Sequence, residues 1–132
     1  LLNDFCARAV RDRSIVLFEP HFRRNYLHVR DAALAIIWAM DHYDTMKGKS
    51  YNVGLPDANF TKRQLCEKIK EQVPDLVILE APIGEDPDKR DYIVSSQRIL
   101  ETGWQPRYSL DHTIAEIIRA MPIFMQHRWG NV

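Results

Sequence analysis

The chain has 132 residues, the size of one ordinary domain and enough to bury a core. Hydrophobic residues make up 45% and charged residues 27%, a normal globular balance. Lys+Arg and Asp+Glu both number 18, for a formal net charge of +0, whereas a general nucleic-acid or membrane-surface binder needs a basic excess; any anion site must be local. No apolar run approaches the ~18 residues of a membrane span. The opening Leu1-Leu2-Asn3-Asp4 carries no basic region or long apolar stretch of a signal peptide, and reads as a cut inside a longer chain. Cys6 and Cys66 make no CxxC pair and no metal-ligand spacing, and read as reduced, buried thiols of a cytoplasmic protein.

Taken in order, the pattern alternates helix and strand. Leu2, Phe5, Cys6 and Ala9 share one face, which predicts a short amphipathic helix over residues 3–11. Residues 14–18 (SIVLF) are a β-branched apolar run and predict a strand. Residues 19–25 read as a polar, Pro-containing approach. Asp31 then precedes a long helix on which Val29, Ala32, Ala33, Ile36, Ile37 and Met40 recur at helical spacing, fading at Tyr43 and ending near Gly48. Residues 51–53 predict a short strand, and Pro56, Asp57 and Asn59 a loop. Thr61-Lys62-Arg63-Gln64 is a capping box opening a helix whose inner face carries Leu65, Cys66, Ile69 and Val73, stopped by Pro74. Residues 76–81 predict a strand, 82–91 a charged loop, 92–94 a short strand and 96–101 a short helix ended at Gly103. Ser109 caps a last helix with an Ile114, Ile117, Ile118, Met121 stripe, disturbed by Pro122. Helices alternating with few short strands give an α/β fold class. Residues 1–125 form one domain and 126–132 a loose tail.

Two arginines stand beside apolar, strand-like segments: Arg24 before Tyr26-Leu27-His28-Val29, and Arg90 before Tyr92-Ile93-Val94. An arginine at such a junction can be held rigid with its planar fork facing a cleft, or can be a solvated surface cation; the residues alone leave both open. Asn59, before a helix N-terminus, is a ribose or phosphate candidate or a turn residue beside the Thr61 cap. His28, with no carboxylate partner visible in the sequence, reads as a structural histidine.

The stretch Arg24-Asn25-Tyr26-Leu27-His28-Val29-Arg30-Asp31 resembles the Arg-Asp/Asn-Tyr-Ile/Leu-His-Val-x-Asp signature of the extended short-chain dehydrogenases/reductases, the NAD-dependent epimerase/dehydratase family acting on nucleotide sugars. Tyr51-Asn52-Val53-Gly54, Asp88-Lys89-Arg90-Asp91-Tyr92 and Gly103-Trp104-Gln105-Pro106 follow in that family's order. No Gly-x-x-Gly-x-x-Gly loop occurs, so the chain resembles the C-terminal substrate-binding part of such a Rossmann-type enzyme, its cofactor domain absent. The segments 22–26 and 84–92 further resemble bacterial enzymes modifying GDP-linked heptoses in surface-polysaccharide synthesis.

The resemblance implies that Arg24 and Arg90 reach the diphosphate of a nucleoside-diphosphate sugar, and that Leu2 and Asn3 lie near its base and ribose. NAD or NADP would serve the full-length enzyme, with none expected on this chain alone. No catalytic, cofactor-binding or metal residue is assigned here. The implied partners are the nucleotide sugar, the missing N-terminal cofactor domain and a further copy of the chain. Tyr43 and Lys47 fit the superfamily's catalytic Tyr-x-x-x-Lys, but that pair belongs upstream of the Arg24 signature; here the match reads as coincidence. The rival expectation is a non-catalytic nucleotide-sugar binding module.

Overall fold

The computed structural model describes residues 1–81 and 90–125. The elements are α1 (Leu2–Arg11), β1 (Ser14–Leu17), β2 (Arg23–Asn25), α2 (Val29–Asp41), α3 (Tyr43–Met46), β3 (Asn59–Thr61), α4 (Lys62–Gln72), β4 (Val77–Glu80), α5 (Gln97–Leu100) and α6 (Leu110–Met125). Two small sheets result, as the α/β reading expects. β1 and β4 run parallel, with Ser14 opposite Val77 and Leu17 opposite Glu80. β2 and β3 run antiparallel, with Arg24 opposite Phe60.

The predicted apolar faces of α1, α4 and α6 build the core, whereas that of α2, expected to be buried, is not: Val29, Ile36, Ile37 and Met40 stand exposed, and the helix buries Asp31 and Ala35 instead. Phe5, Cys6 and Ala9 of α1 meet Ile15 and Leu17 of β1, Leu65, Cys66 and Ile69 of α4, and Leu110 and Ile114 of α6. A second cluster, around Ala35, Met46, Ile99 and Trp104, packs the far side of α2 against the 97–104 segment. Both thiols are buried and free, and burial pushes each up to about 12. The Thr61 capping box forms in both directions: Gln64 N–H donates to Thr61 Oγ1 at 3.1 Å, and Thr61 N–H to Gln64 Oε1 at 2.9 Å. Ser109 Oγ accepts from the His112 N–H at 3.1 Å and caps α6.

Several details differ from the sequence reading. Residues 23–25, expected as an irregular approach, form β2; no apolar alternation announces it, because its inward residue is Arg24. Residues 51–53 form no strand; Tyr51 and Val53 instead pack side chains onto the second core cluster. Residues 92–94 form no strand either, since side chains take the place of a backbone ladder there, as described below. α2 starts at Val29, not beyond Asp31. The reason is His28, whose extended backbone and ring Nδ1, accepting from the Arg30 N–H at 3.1 Å, supply the cap. α6 runs through Pro122, which stands exposed in its last turn, as far as Met125. The expected charged loop falls mostly, and the expected tail wholly, outside the described residues.

Candidate functional site

The first neighbourhood is the β2–β3 hairpin with residues 90–96 laid along it. On a strand, neighbouring side chains point to opposite sides. In β2 this separates the two arginines. Arg23 turns outward and grips Asp91: its backbone N–H, Nε and Nη2 donate to the carboxylate at 2.8, 3.0 and 2.9 Å. These bonds, side chain first, hold the Asp91 carboxyl down at about 2. Arg24 turns inward and is only 8% exposed. Its Nη1 donates to the carbonyl of Arg23 at 2.7 Å and also to that of Arg90. Its guanidinium carbon lies 5.1 Å from the centroid of the Tyr92 ring, within cation–π range.

The structure thus brings Arg24 and Arg90 together through a guanidinium–carbonyl contact, with Arg24 packed inside and Arg90 exposed. Asn59, expected in a loop, instead opens β3, and its amide is engaged with Val94 and Asn25. Beside Arg24, the Tyr26 hydroxyl is buried without a hydrogen-bond partner among the described residues, and burial raises its pKa.

The second neighbourhood is a groove of about 500 Å³ between the start of α1, the start of α2 and α6. Leu2 and Asn3 line it, facing His28, Arg30 and Glu116 rather than Arg24 and Arg90. The candidate residues therefore fall into two groups, Arg24–Arg90–Asn59 and Leu2–Asn3. Sequence reading missed the groove's polar wall, because its members come from α2 and α6. His28, expected without a carboxylate, has one: its Nε2 lies 3.1 Å from Glu116 Oε2. Arg30 donates to both oxygens of Glu116, at 2.7 and 3.3 Å. The His28 bond first, and then the Arg30 charge, hold Glu116 below the usual carboxylate range, against the effect of burial.

His28, His112 and Glu116 bring their potential ligand atoms within 4.8 Å of one another, as a metal site would. The hydrogen bonding opposes that use. With Nδ1 accepting from Arg30 N–H, the neutral His28 ring carries its proton on Nε2, the atom a metal would need. Arg30 already occupies Glu116. The cluster is a joint between α2 and α6, completed by the stacking of His28 on Tyr108 at 4.4 Å.

Tyr43 and Lys47 sit exposed at the end of the α2–α3 run. The Lys47 ammonium pairs with Asp44 at 3.2 Å and lies 5.8 Å from the Tyr43 ring centroid. None of the bonds around Arg24 described above involves either residue. The chain also lacks a run of closely spaced glycines. Its five glycines never fall three residues apart, and among the described residues no strand runs through a glycine-rich turn into a helix.

Residues 1–54 match the NAD dependent epimerase/dehydratase family. The chain is 33% identical over 97 residues to probable GDP-L-fucose synthase 1 of Oryza sativa subsp. japonica, covering 70% of this chain and 27% of that protein. The UDP-glucose 4-epimerase of Thermotoga maritima, solved with UDP-glucose, superposes with a TM-score of 0.74 at 23% identity, over 94% of this chain and 40% of that one. RMD from Pseudomonas aeruginosa, solved with NADPH, gives a TM-score of 0.76 at 18% identity, over 94% of this chain and 42% of that one. The chain spans about a quarter of the length of its curated relatives and about two-fifths of the solved chains. Among the described residues, no helix is long and apolar enough to cross a membrane. Residues 1–54 thus resemble the NAD dependent epimerase/dehydratase family, and over more than nine-tenths of its length the chain shares the fold of the UDP-glucose 4-epimerase of Thermotoga maritima.

Proposed function

We propose that this chain is the substrate-binding part of an NAD(P)-dependent nucleotide-sugar epimerase, dehydratase or dehydrogenase, and that it holds the diphosphate of a nucleoside-diphosphate sugar at Arg24 and Arg90. The observation that carries the reading is the juxtaposition of these two arginines, 66 residues apart, through the Arg24 guanidinium and the Arg90 carbonyl. A diphosphate has two adjacent anionic groups, and two arginines at one place match it better than a single cation. With a formal net charge of +0, any anion site in this chain must be local. Leu2 and Asn3, in the separate groove, are the base-side candidates. The similar proteins, a GDP-L-fucose synthase and a UDP-glucose 4-epimerase, support the substrate class. A GDP-linked heptose is the finer substrate proposal, resting on segments 22–26 and 84–92.

The cofactor supplies hydride chemistry when bound to the full-length enzyme. The residues of this chain are given no step in that chemistry. Their work is to anchor the nucleotide so that the sugar is placed for reaction. Isothermal titration of the chain with GDP and UDP tests the reading. Saturable binding is expected, weakened by about 1.5 to 3 kcal/mol in Arg24→Ala and in Arg90→Ala, the range for a hydrogen bond to a charged group. Arg→Lys at either position also loses affinity, since Lys cannot pair bidentately. Binding unchanged in both Ala variants would place the diphosphate elsewhere.

A further inference from the structure

Residues 90–96 lie along the hairpin without a backbone ladder, and side-chain amides do the ladder's work. Asn59 Nδ2 donates to the Val94 carbonyl at 3.0 Å, and the Val94 N–H donates to Asn59 Oδ1 at 2.9 Å. One side chain therefore meets both backbone groups of one residue, as a neighbouring strand does across a hydrogen-bonded pair. Asn25 repeats the device on the paired strand. Its Nδ2 donates to the Leu55 carbonyl at 2.8 Å, and the Leu55 N–H donates to its Oδ1 at 3.1 Å. The two amides are joined, Asn25 Nδ2 to Asn59 Oδ1 at 3.2 Å. Asn25 and Asn59 are also register partners across β2 and β3.

The network fixes its own polarity. Only with oxygen toward the Val94 N–H and nitrogen toward the Val94 carbonyl are both bonds made, and that orientation leaves Asn59 Oδ1 to accept from Asn25. Asn59 Oδ1 then accepts two bonds, its full capacity, and Asn25 Nδ2 gives both its protons. Neither atom can serve a ligand hydroxyl. The backbone has made room for the pair at Gly54, where an added Cβ would stand 2.3 Å from Asn25 Oδ1. The Ser96 hydroxyl closes the far end on the Gly54 carbonyl at 3.0 Å.

We infer that Asn59, through its two bonds to Val94, is a positioning residue that holds the 90–94 segment in register so that Arg90 lies against Arg24; it serves the anion site without touching the substrate. This rests on the assignment of Arg24 and Arg90 to the diphosphate. It also changes the role first expected of Asn59, from direct ribose or phosphate contact to alignment of the segment bearing Arg90.

The test is a double-mutant cycle on nucleoside-diphosphate binding by the chain, with GDP and UDP as the titrants and the variants Asn59→Ala, Arg90→Ala and both together. Asn59→Ala is expected to weaken binding about tenfold, one hydrogen bond's worth. If Asn59 acts through Arg90, the double variant binds no more weakly than Arg90→Ala alone. Amide exchange at Val94 quickens in Asn59→Ala. A merely structural role would lower affinity additively, and additive losses overturn the inference. So does an Asn59→Ala variant that binds like the unmodified chain. No binding by the unmodified chain sinks the diphosphate reading itself and the inference with it, a result distinct from both. Should Asn59→Ala fail to fold, Asn59→Asp, which keeps the acceptor and loses the donor, carries the same cycle with the same two readings.

Discussion

Asp31 holds Tyr108 by the backbone: its Oδ2 accepts the Tyr108 N–H at 3.0 Å, while Oδ1 accepts the adjacent Arg107 N–H at 2.9 Å. The carboxylate is wholly buried in the first turn of α2, and it ties that helix to the chain just before α6. Both oxygens are thus matched to successive N–H groups, which is how a buried charge becomes tolerable. Asp31→Ala should lower unfolding free energy by about 2 to 4 kcal/mol, because two charge-assisted bonds go and two N–H groups are left without them. Asp31→Asn should cost less, since its one oxygen keeps one bond while its amide nitrogen faces the other N–H. Urea melts of the three proteins give the order; equal stability of Asp31→Ala and the unmodified chain would show that the grip contributes nothing.

The Arg23–Asp91 clasp gives a pH signature. The folded Asp91 carboxyl sits at about 2, held there first by the Arg23 side chain and then by the Arg23 N–H. A carboxyl free in the unfolded chain titrates near ~3.9. The folded pKa is the lower one, so the clasp's contribution is fully present above about pH 4 and is lost as pH falls toward 2. Both side chains are part exposed, so salt should weaken the effect. NMR titration of the Asp91 carboxyl is expected to show the low value in the unmodified chain and a return toward the ordinary range in Arg23→Ala. An ordinary value in both would mean the clasp is not formed in solution.

Much of the fold was legible because it is written in local chemistry. The Thr61–Gln64 box, the Ser109 cap and the Leu65, Cys66, Ile69 face need only residues a turn apart, and all formed. What the sequence hid depends on distant partners. β2 has Arg24 as its inward residue, and that is intelligible only once the Arg90 carbonyl and Tyr92 ring arrive from 66 and 68 residues away. The 92–94 segment has a strand's composition, but the amide of Asn59 takes the place a neighbouring strand would have. His28 seemed to lack a carboxylate because Glu116 lies 88 residues on. Gly54 is the one local hint of the amide pair: a glycine after Tyr51-Asn52-Val53 marks a close approach, and Asn25 is what approaches.

The outward face of α2 leads to the last prediction. Val29, Ala33, Ile36 and Met40 follow one another at spacings of four, three and four along the helix, and Tyr43 continues the line on α3. Val29, Ile36, Met40 and Tyr43 are 76%, 65%, 70% and 64% exposed, and Ile37 beside them is 52% exposed. The opposite side of the helix is already used, by Asp31 on the α6 approach and by Ala35 in the second core cluster. An apolar stripe this continuous on a soluble domain tends to be covered by something. With only this chain in solution, the available cover is a second copy, and the stripe can pair with itself about a two-fold axis because it carries no charge along its length. Self-association through α2 at high concentration is therefore expected. Changing Ile36→Glu and Met40→Lys together should abolish it while moving the stability of the isolated fold by only about 0.5 kcal/mol, as for other surface changes. Sedimentation velocity across a concentration series, on both proteins, is the measurement. An unmodified chain that stays monomeric throughout, or a double variant that associates as strongly, would show that this stripe is not what brings copies together.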